Sequence, residues 1–311
     1  MINYPVLSVL MTAYNRQDYI AEAIESVLAS SYSNFELIIL DDCSEDNTLA
    51  TARAYEKKDE RIKVFTNTKN LGQFENRNKA ASLATGKYLK YVDSDDMIKP
   101  ETLSIMVEGM EKFEDAGIGV VYDFHNKIDF SDTVYKAVES RLAYLWHYCN
   151  GGMLFPGPTG CIFRKENFLN QNGFPLDLGI NGDIYLNLKI AATSKVILFP
   201  GHLVFWRKHV DQVDELQQDY FKMHHERFRI NQKILYGELL PLSKGELTRI
   251  RFSVKILYIR GAFNTYLIKG KFRKFIELLK LGNVPLYYLL LTAFPLRWIS
   301  PFKKNTSLIS L

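Results

Sequence analysis

The N-terminal part of the chain alternates between short apolar runs and stretches whose apolar residues recur at helical spacing. The runs predict strands at 6–11, 35–42, 62–67 and 87–92. The helical spacing predicts helices from about residue 18, over 45–58 and over 75–84. Because strands that alternate with helices are joined by right-handed crossovers, they lie parallel in one sheet. The pattern therefore predicts an α/β fold with a mostly parallel central sheet flanked by helices.

Beyond residue 92 the pattern is less regular. The predicted elements are a strand at 118–125, a strand and a short helix within 161–174, a helix from about Asp183 and paired strands within 195–209. Residues 131–158 are expected to be irregular, because Gly and Pro are frequent near their end. From about residue 214 the pattern is mainly helical. We therefore predict a sheet-containing domain, 1–213, followed by a C-terminal helical extension, 214–311.

Polar side chains follow three of the predicted parallel strands. They are Thr12 and Tyr14 after the first strand, Asp41 and Asp42 after the second, and Asp93, Asp95 and Asp96 after the fourth. In open parallel sheets ligands bind beyond the carboxyl ends of the strands, so these side chains are expected to share one edge. Carboxylates there suit Mg²⁺ or Mn²⁺ carrying a nucleotide. The alternative is a solvated acidic turn, in which Asp96 caps the next helix.

Composition and charge add few constraints. The 311 residues are 47 % apolar and 24 % charged, which is ordinary for a globular protein with a sizeable core. The net charge of +4 gives no indication of nucleic-acid binding. Three cysteines without metal-like spacing predict no disulfide framework and a cytoplasmic setting. No signal peptide is predicted, and no apolar stretch reaches the ~20 residues that span a bilayer.

The basic residues concentrate in the C-terminal third. Ten fall within 244–280: Lys244, Arg249, Arg251, Lys255, Arg260, Lys269, Lys271, Arg273, Lys274 and Lys280. Only Glu246 and Glu277 oppose them in this stretch. Basic and apolar helices of this kind are typical of an anionic membrane surface, which would place the protein peripherally at the inner face of the cell membrane. Equally, the apolar faces could simply pack on the N-terminal domain.

Four segments, in this order, resemble the motifs of family 2 glycosyltransferases. They read LSVLMTAYNRQDYIAEAIESVL, FELIILDDCSEDNT, NLGQFENRNKAASLATGKYLKYVDSDDMIKP and GDIYLNLKIA. The resemblance covers about residues 5–210 and implies the GT-A nucleotide-sugar fold. It also implies an inverting enzyme of polysaccharide biosynthesis, which transfers a sugar from a nucleotide-sugar, UDP favoured, to a glycan or lipid-linked glycan. A divalent metal, Mn²⁺ or Mg²⁺, is the implied cofactor.

The resemblance also implies roles for individual residues. Thr12, Tyr14 and Asp42 would hold the nucleobase and ribose, and Arg77, Asn78 and Ser94 are further candidates for donor contacts. Asp95 would bind the metal, with Asp93 as a metal or ribose partner. Thr159 and Gly160 would approach the donor sugar, while Arg207 and His209 would bind the diphosphate or complete the metal site. For Arg77 and Asn78 an exposed helix face is an equal alternative, and His209 could be a surface histidine.

Asp183 would be the catalytic base, since inverting members place an acidic residue at the start of a helix. Gly182 stands where the family usually has Glu, so no second carboxylate is expected there. Asp183 could also serve as an N-cap, a role that keeps a carboxylate ionised.

Three rival classes fit less well. A receiver domain would carry its acidic pair after the first strand, where Thr12 and Tyr14 stand. An aspartate-nucleophile phosphatase would need Thr or Val where Met97 follows the acidic cluster. The third rival, a catalytically inactive nucleotide-sugar-binding or docking protein, is opposed only by Asp183.

Overall fold

The computed structural model describes residues 5–122, 134–150, 152–208, 220–285 and 288. The strands are β1 Leu7–Ala13, β2 Phe35–Asp41, β3 Ile62–Thr66, β4 Tyr88–Tyr91, β5 Met97–Ile98, β6 Ala116–Tyr122, β7 Lys136–Val138, β8 Cys161–Arg164, β9 Lys195–Pro200 and β10 Val204–Phe205. The α-helices are α1 Ile20–Leu28, α2 Thr48–Glu56, α3 Gln73–Leu83, α4 Thr102–Lys112, α5 Ser140–Asn150, α6 Lys165–Asn170, α7 Gly182–Thr193, α8 Tyr220–Gly237, α9 Lys244–Ala262 and α10 Phe272–Leu281.

Eight strands of the described residues form the central sheet, in the order β3-β2-β1-β4-β8-β6-β9-β7. The four strands β3, β2, β1 and β4 are parallel, with Leu7 of β1 opposite Phe35 of β2 and Tyr88 of β4. β6 and β9 are also parallel, whereas β8 and β7 run antiparallel to their neighbours. The predicted mostly parallel sheet flanked by helices is confirmed, and the carboxyl ends of β1, β2 and β4 meet at one edge.

Helices cover both faces of the sheet. Along β1, Val9 and Met11 belong to one apolar core and Leu10 to the other. α1 and α4 complete the first core, and α3, α5 and α7 complete the second. A strand covered on both faces needs apolar residues at nearly every position, which explains the mostly apolar runs of the sequence.

Two predictions about the middle of the chain are wrong. Residues 131–158 were expected to be irregular, but they contain β7 and the eleven residues of α5. Ala143 and Tyr144 of α5 pack in the second core while Leu145 packs against the C-terminal helices, so α5 has no polar stripe to mark it. The strands within 195–209 do not pair with each other. A short 3₁₀ turn separates them, and β9 pairs with β6 and β7 while β10 pairs with β5.

The described C-terminal residues are mainly helical, as predicted. Ser243 and Glu246 form a capping box at the start of α9, and a π-helical turn, Phe263–Leu267, follows its end. α8, α9 and α10 share an apolar core of their own. The predicted domain boundary at 213/214 lies outside the described residues and stays a prediction. Within the described part of the chain, no helix is long and apolar enough to cross a membrane.

Candidate active site

A cleft of about 770 Å³ opens at the sheet edge where β1, β2 and β4 end. Among the predicted site residues, its walls contain Thr12, Tyr14, Asp42, Arg77, Asp93, Ser94, Asp95 and Thr159. The parallel strands bring these residues together from positions far apart in the sequence. The cleft is of the size that small-molecule ligands occupy.

Two of the clustered carboxylates are bound to arginines. Arg77 on α3 donates from Nη2 to Asp93 Oδ1 at 2.7 Å. Arg16, in the loop after β1, donates from Nε to Asp95 Oδ2 at 2.9 Å. Burial would lower the pKa of Arg77, but the charges of Asp93 and Asp183 hold this pKa above its ordinary value. The acidic cluster is thus partly neutralised by the protein itself.

Asp96 is the buried member of the cluster. Burial, and then the negative charge of Asp93, raises the pKa of Asp96 to about 7. Its Oδ1 accepts a hydrogen bond from the backbone N–H of Arg207 at 3.1 Å. The idea that Asp96 caps the next helix is wrong, because Glu101 occupies the N-cap of α4. Asp96 instead joins the acidic turn to the segment after β10.

A lysine lies buried beneath the cluster. Lys90 of β4 is fully buried, and its Nζ donates to the carbonyls of Tyr91 (2.8 Å) and Thr159. Burial lowers the pKa of Lys90 to about 8. Thr159 Oγ1 in turn accepts from the backbone N–H of Asp93 at 3.0 Å. Lys90 therefore connects the strand to the turn that forms the opposite wall of the cleft.

Asp183 does not line the cleft itself but lies next to the cleft residue Gly157. Asp183 lies in the first turn of α7, and its Oδ1 accepts from the N–H of Ile184 at 2.7 Å. Gly157 lines the cleft, and a β-carbon built on it would lie only 3.8 Å from Asp183 Oδ2. Burial raises the pKa of Asp183 to about 6, although the Ile184 bond and the charge of Arg77 oppose this shift.

Asp42 is held in place by three donors. Oδ1 accepts from Asn67 Nδ2 at 2.7 Å and from the N–H of Leu71 at 2.9 Å, and Oδ2 accepts from the N–H of Gly72 at 2.9 Å. A carboxylate has about four acceptor positions, so one remains on Oδ2. Tyr14 lines the same part of the cleft, and its side chain is 42 % exposed.

Several predicted site residues lie elsewhere. Asn78 pairs both ends of its amide with the backbone of Phe174 at 2.8 Å and does not line the cleft. Arg207 donates to Glu22 on α1 at 2.6 Å, and its guanidinium lies over Tyr19. Gly160 does not line the cleft and lies close to Pro156 and Trp206, and His209 lies outside the described residues.

A family comparison agrees with this geometry. The family model described as glycosyl transferase family 2 matches residues 8–169, a little over half of the chain. This chain belongs to glycosyltransferase family 2. The resemblance stated from the sequence motifs is thereby confirmed.

Two of the curated relatives are named for bacterial polysaccharide biosynthesis. TuaG of Bacillus subtilis, named for teichuronic acid biosynthesis, is 43 % identical over 106 residues, which are 34 % of this chain and 42 % of TuaG. WcaA of Escherichia coli, named for colanic acid biosynthesis, is 27 % identical over 266 residues, 78 % of this chain and 94 % of WcaA. A glycosyltransferase of Haemophilus influenzae is 38 % identical over 36 % of this chain. The match spans less than half the length of TuaG and of the Haemophilus protein, at 42 % and 35 %.

Solved structures of glycosyltransferases share the fold. TarS of S. aureus, residues 1–349 in complex with UDP-GlcNAc, has a TM-score of 0.67 and 21 % identity over 92 % of this chain and 83 % of that chain. The mannosyltransferase PcManGT of Pyrobaculum calidifontis, in complex with GDP-Man and Mn²⁺, has a TM-score of 0.60 and 17 % identity over 98 % of this chain and 84 % of that chain. The predicted GT-A fold is confirmed.

Sequence reasoning missed several residues at the cleft, of which three bear charge or a large ring. Arg16 and Trp206 line the cleft directly, and Lys90 supports it from below. A signal existed for each. Arg16 is a cation in the loop that follows a predicted strand, Lys90 interrupts an apolar run, and Trp206 directly precedes the predicted site residue Arg207.

Proposed function

We propose that this protein is an inverting glycosyltransferase that moves a sugar from a nucleoside-diphosphate donor to a hydroxyl of a glycan or lipid-linked acceptor in polysaccharide biosynthesis. Family membership and relatives named for teichuronic and colanic acid biosynthesis support the proposal. One observation carries it: a single cleft combines Tyr14 and Asp42 with arginine-bound carboxylates, and Asp183, whose pKa of about 6 suits a base, lies next to Gly157 of the cleft wall.

The nucleoside would lie at the β1–β2 end of the cleft. Tyr14 offers an exposed ring that can cover a base, and Thr12 stands beside it on the cleft wall. The remaining acceptor position of Asp42 Oδ2 matches the imide N–H of uracil, which is a donor. Guanine offers N–H donors of the same kind, so Asp42 alone does not select the base, and UDP is favoured from the resemblance of the motifs. TarS binds UDP-GlcNAc and PcManGT binds GDP-Man, so these two structures differ in the base that they bind. The identity of the base is therefore a separate proposal from the nucleotide-sugar donor.

The diphosphate would lie against the acidic turn. Arg16 and Arg77 are the cations on the cleft wall there, and in the described structure the buried Nε of Arg77 has no hydrogen-bond partner. Ser94 is buried at the same turn, where its backbone can approach the donor. The arginines bind phosphate through directed N–H donors, which orient the leaving group.

A divalent cation fits the donor chemistry of this turn. Asp93 and Asp95 supply carboxylate oxygens, and the raised pKa of Asp96 reflects burial and the accumulated negative charge of these neighbours. No group of three or more His, Cys, Asp or Glu within the described ranges is arranged to hold an ion. Mg²⁺ in particular uses one or two carboxylates with substrate phosphates, so Asp95 and Asp93 would suffice. When bound, the ion would supply Lewis-acid stabilisation of the departing diphosphate.

Asp183 acts as the base. With a pKa near 6 it is mostly ionised at neutral pH and still basic enough to take a proton from an acceptor hydroxyl. Its Oδ2 faces the Gly157 turn, where a side chain would otherwise separate it from the cleft. The deprotonated oxygen attacks the anomeric carbon, the nucleoside diphosphate leaves, and a single displacement inverts that carbon.

The test compares binding and turnover in one set of variants. Thermal stabilisation is measured with UDP-sugars and GDP-sugars, with and without Mn²⁺, because a bound ligand raises the stability of the folded state by mass action. Release of nucleoside diphosphate is measured with membrane extracts as the acceptor source. Asp183→Asn should keep the donor-induced stabilisation and lose roughly 10²–10⁴-fold in turnover.

Asp177→Asn is the matched control, because Asp177 is an exposed carboxylate paired with Lys233 near the same segment. It should change neither measurement. Normal turnover by Asp183→Asn would contradict the assigned base, and the absence of stabilisation by every nucleotide-sugar would contradict the donor site. Binding of a donor without turnover on any acceptor would favour the inactive nucleotide-sugar-binding protein.

A further inference from the structure

The turn between α9 and α10 exposes apolar and basic side chains side by side. Residues 268–274, which we name the basic turn, read IKGKFRK, and all seven are exposed. The side chains of Ile268 and Phe272 are 67 % and 59 % exposed. The other large side chains of the turn are the cations Lys269, Lys271, Arg273 and Lys274, and the turn contains no acid. The basic turn therefore places two exposed large apolar side chains among four cations.

The fold holds this turn in a defined shape. Gly270 adopts φ +70°, a left-handed conformation that favours glycine. Its N–H donates to the carbonyl of Leu267 at 3.0 Å, and the N–H of Lys271 donates to the carbonyl of Tyr266 at 2.8 Å. Tyr266 and Phe275, on either side of the turn, are buried in the C-terminal core. The apolar side chains between them therefore point outward because the core positions are already filled.

The apolar surface continues along α10. A groove of about 530 Å³ is lined by Phe272, Arg273, Ile276, Glu277, Lys280 and Leu281, and Leu281 is 52 % exposed. Along this helix the inward face carries the core residues Leu278 and Leu279. The outer face thus resembles the turn: apolar side chains lie between the cations Arg273 and Lys280, with Glu277 as an acid among them.

The cations of the turn are not used inside the fold. Within the described ranges, none of the four forms a salt bridge. By contrast, each cleft arginine pairs with a carboxylate. Unpaired cations around exposed apolar side chains are complementary to a surface that carries negative charge at its boundary and is apolar beneath that boundary. A lipid bilayer has these two properties, whereas a soluble polyanion would leave Ile268 and Phe272 in water.

We propose that the basic turn and the outer face of α10 bind an anionic lipid bilayer, with Ile268 and Phe272 entering the headgroup region. This membrane contact rests on the proposed function and extends it to the acceptor, because a lipid-linked acceptor would be located at such a surface. The cleft is not part of the contact, so its test is independent of activity.

The test is sedimentation of the full chain with phosphatidylcholine vesicles that contain or lack phosphatidylglycerol. We expect binding to the anionic vesicles at low salt, weakening as salt rises. Lys271→Gln/Lys274→Gln should lower the affinity roughly tenfold or more, since each basic residue near the surface contributes about fivefold. Ile268→Ser/Phe272→Ser should lower it by a similar factor through lost apolar burial.

The controls change the same residue types elsewhere. Leu239→Ser alters an exposed leucine before α9, at the opposite end of that helix from the basic turn. Lys57→Gln/Lys58→Gln alters two exposed lysines after α2. Both should bind vesicles as the unchanged protein does. Loss of binding in the controls, or no binding of the unchanged protein to anionic vesicles, would overturn the proposal.

Two further outcomes also decide it. Binding to heparin that survives Ile268→Ser/Phe272→Ser, with no vesicle binding, would identify a soluble polyanion as the partner and overturn the lipid proposal. Donor-induced thermal stabilisation, measured in the same variants, should stay unchanged. If vesicle binding fails while donor stabilisation remains, only the membrane surface is wrong; if the reverse is found, only the donor site is wrong.

Discussion

The cleft and the basic turn differ in the burial and the pairing of their charged side chains. In the cleft, Arg77 and Arg16 are largely buried and each is bound to a carboxylate at 2.7 and 2.9 Å. In the basic turn the cations are exposed and, among the described residues, form no salt bridge. Buried charges must be paired, whereas exposed charges are stable in water without a partner. The cleft is therefore preorganised for a small ligand, and the turn is suited to a broad surface.

This difference has consequences for substitution. Removing a partner in the cleft leaves an uncompensated charge in a poorly solvated place, so stability and ligand binding should fall together. Removing a cation from the turn changes only what the surface attracts. Four predictions follow from this contrast, from the largest effect to the smallest.

Asp93→Ala should be the most damaging change. It leaves the buried guanidinium of Arg77 without its carboxylate, which costs about 3 kcal/mol in the free energy of unfolding. Urea denaturation measures this, with Asp177→Ala as the control, because the exposed pair of Asp177 with Lys233 should contribute less than about 0.5 kcal/mol. Equal losses in both variants would contradict the contrast. The double variant Asp93→Leu/Arg77→Met should recover most of the stability.

The pH dependence of transfer should show an acid limb. The base is active when deprotonated, so kcat/KM should fall below a pH of about 6, approaching tenfold per pH unit, as Asp183 gains a proton. A pH profile of the purified protein measures this. Asp96 also titrates near neutrality, since its pKa is about 7. If Asp183 causes the fall of kcat/KM at low pH, Asp96→Asn should show the same fall. A kcat/KM that stays constant down to pH 5 would exclude Asp183 as the base.

Lys90→Met tests whether Lys90 contributes only to the stability of the fold or also positions the turn that contains Thr159. Burial lowers the pKa of Lys90 to about 8 in the folded state, against an ordinary value of 10.5. Between these values the unfolded chain binds more protons, so the stability of the unchanged protein should rise with pH by up to about 1.4 kcal/mol per unit. The variant should lack this rise.

Urea denaturation at pH 8 and pH 10 makes that comparison. Turnover of Lys90→Met should fall roughly tenfold, because the carbonyl of Thr159 loses its donor and the turn near Asp183 is no longer held. Unchanged turnover would show that Lys90 only fills space beneath the cleft.

Ile268→Ser/Phe272→Ser should have the smallest effect on the isolated protein. Both side chains are exposed, so the free energy of unfolding should change by less than about 0.5 kcal/mol. Turnover with a water-soluble acceptor should be unaffected. A loss of several kcal/mol in urea denaturation would show that these residues belong to a packed interface, and the contrast between the two regions would be lost.

Much of the sheet could be predicted from the sequence because β1, β2 and β4 are covered on both faces and are mostly apolar. Burial on more than one side also explains why α5 was not predicted. Its Ala143 and Tyr144 pack in one core and Leu145 packs in another, so the helix shows no amphipathic period. Strand pairing beyond β4 was also out of reach. Pairing is decided by contacts between distant segments, such as Lys90 of β4 opposite Ile162 of β8.

The candidate site divides in the same way. By itself, the sequence determined the identity and order of the polar residues that follow the strands, and hence the edge at which Tyr14, Asp42 and Asp93 would meet. Only the tertiary structure decided which cations bind the acidic turn, since Arg16 and Asp95 are 79 positions apart and become neighbours only when the sheet forms. It also decided the protonation of Asp96 and Asp183, because a pKa depends on burial and nearby charge, which a linear pattern does not contain.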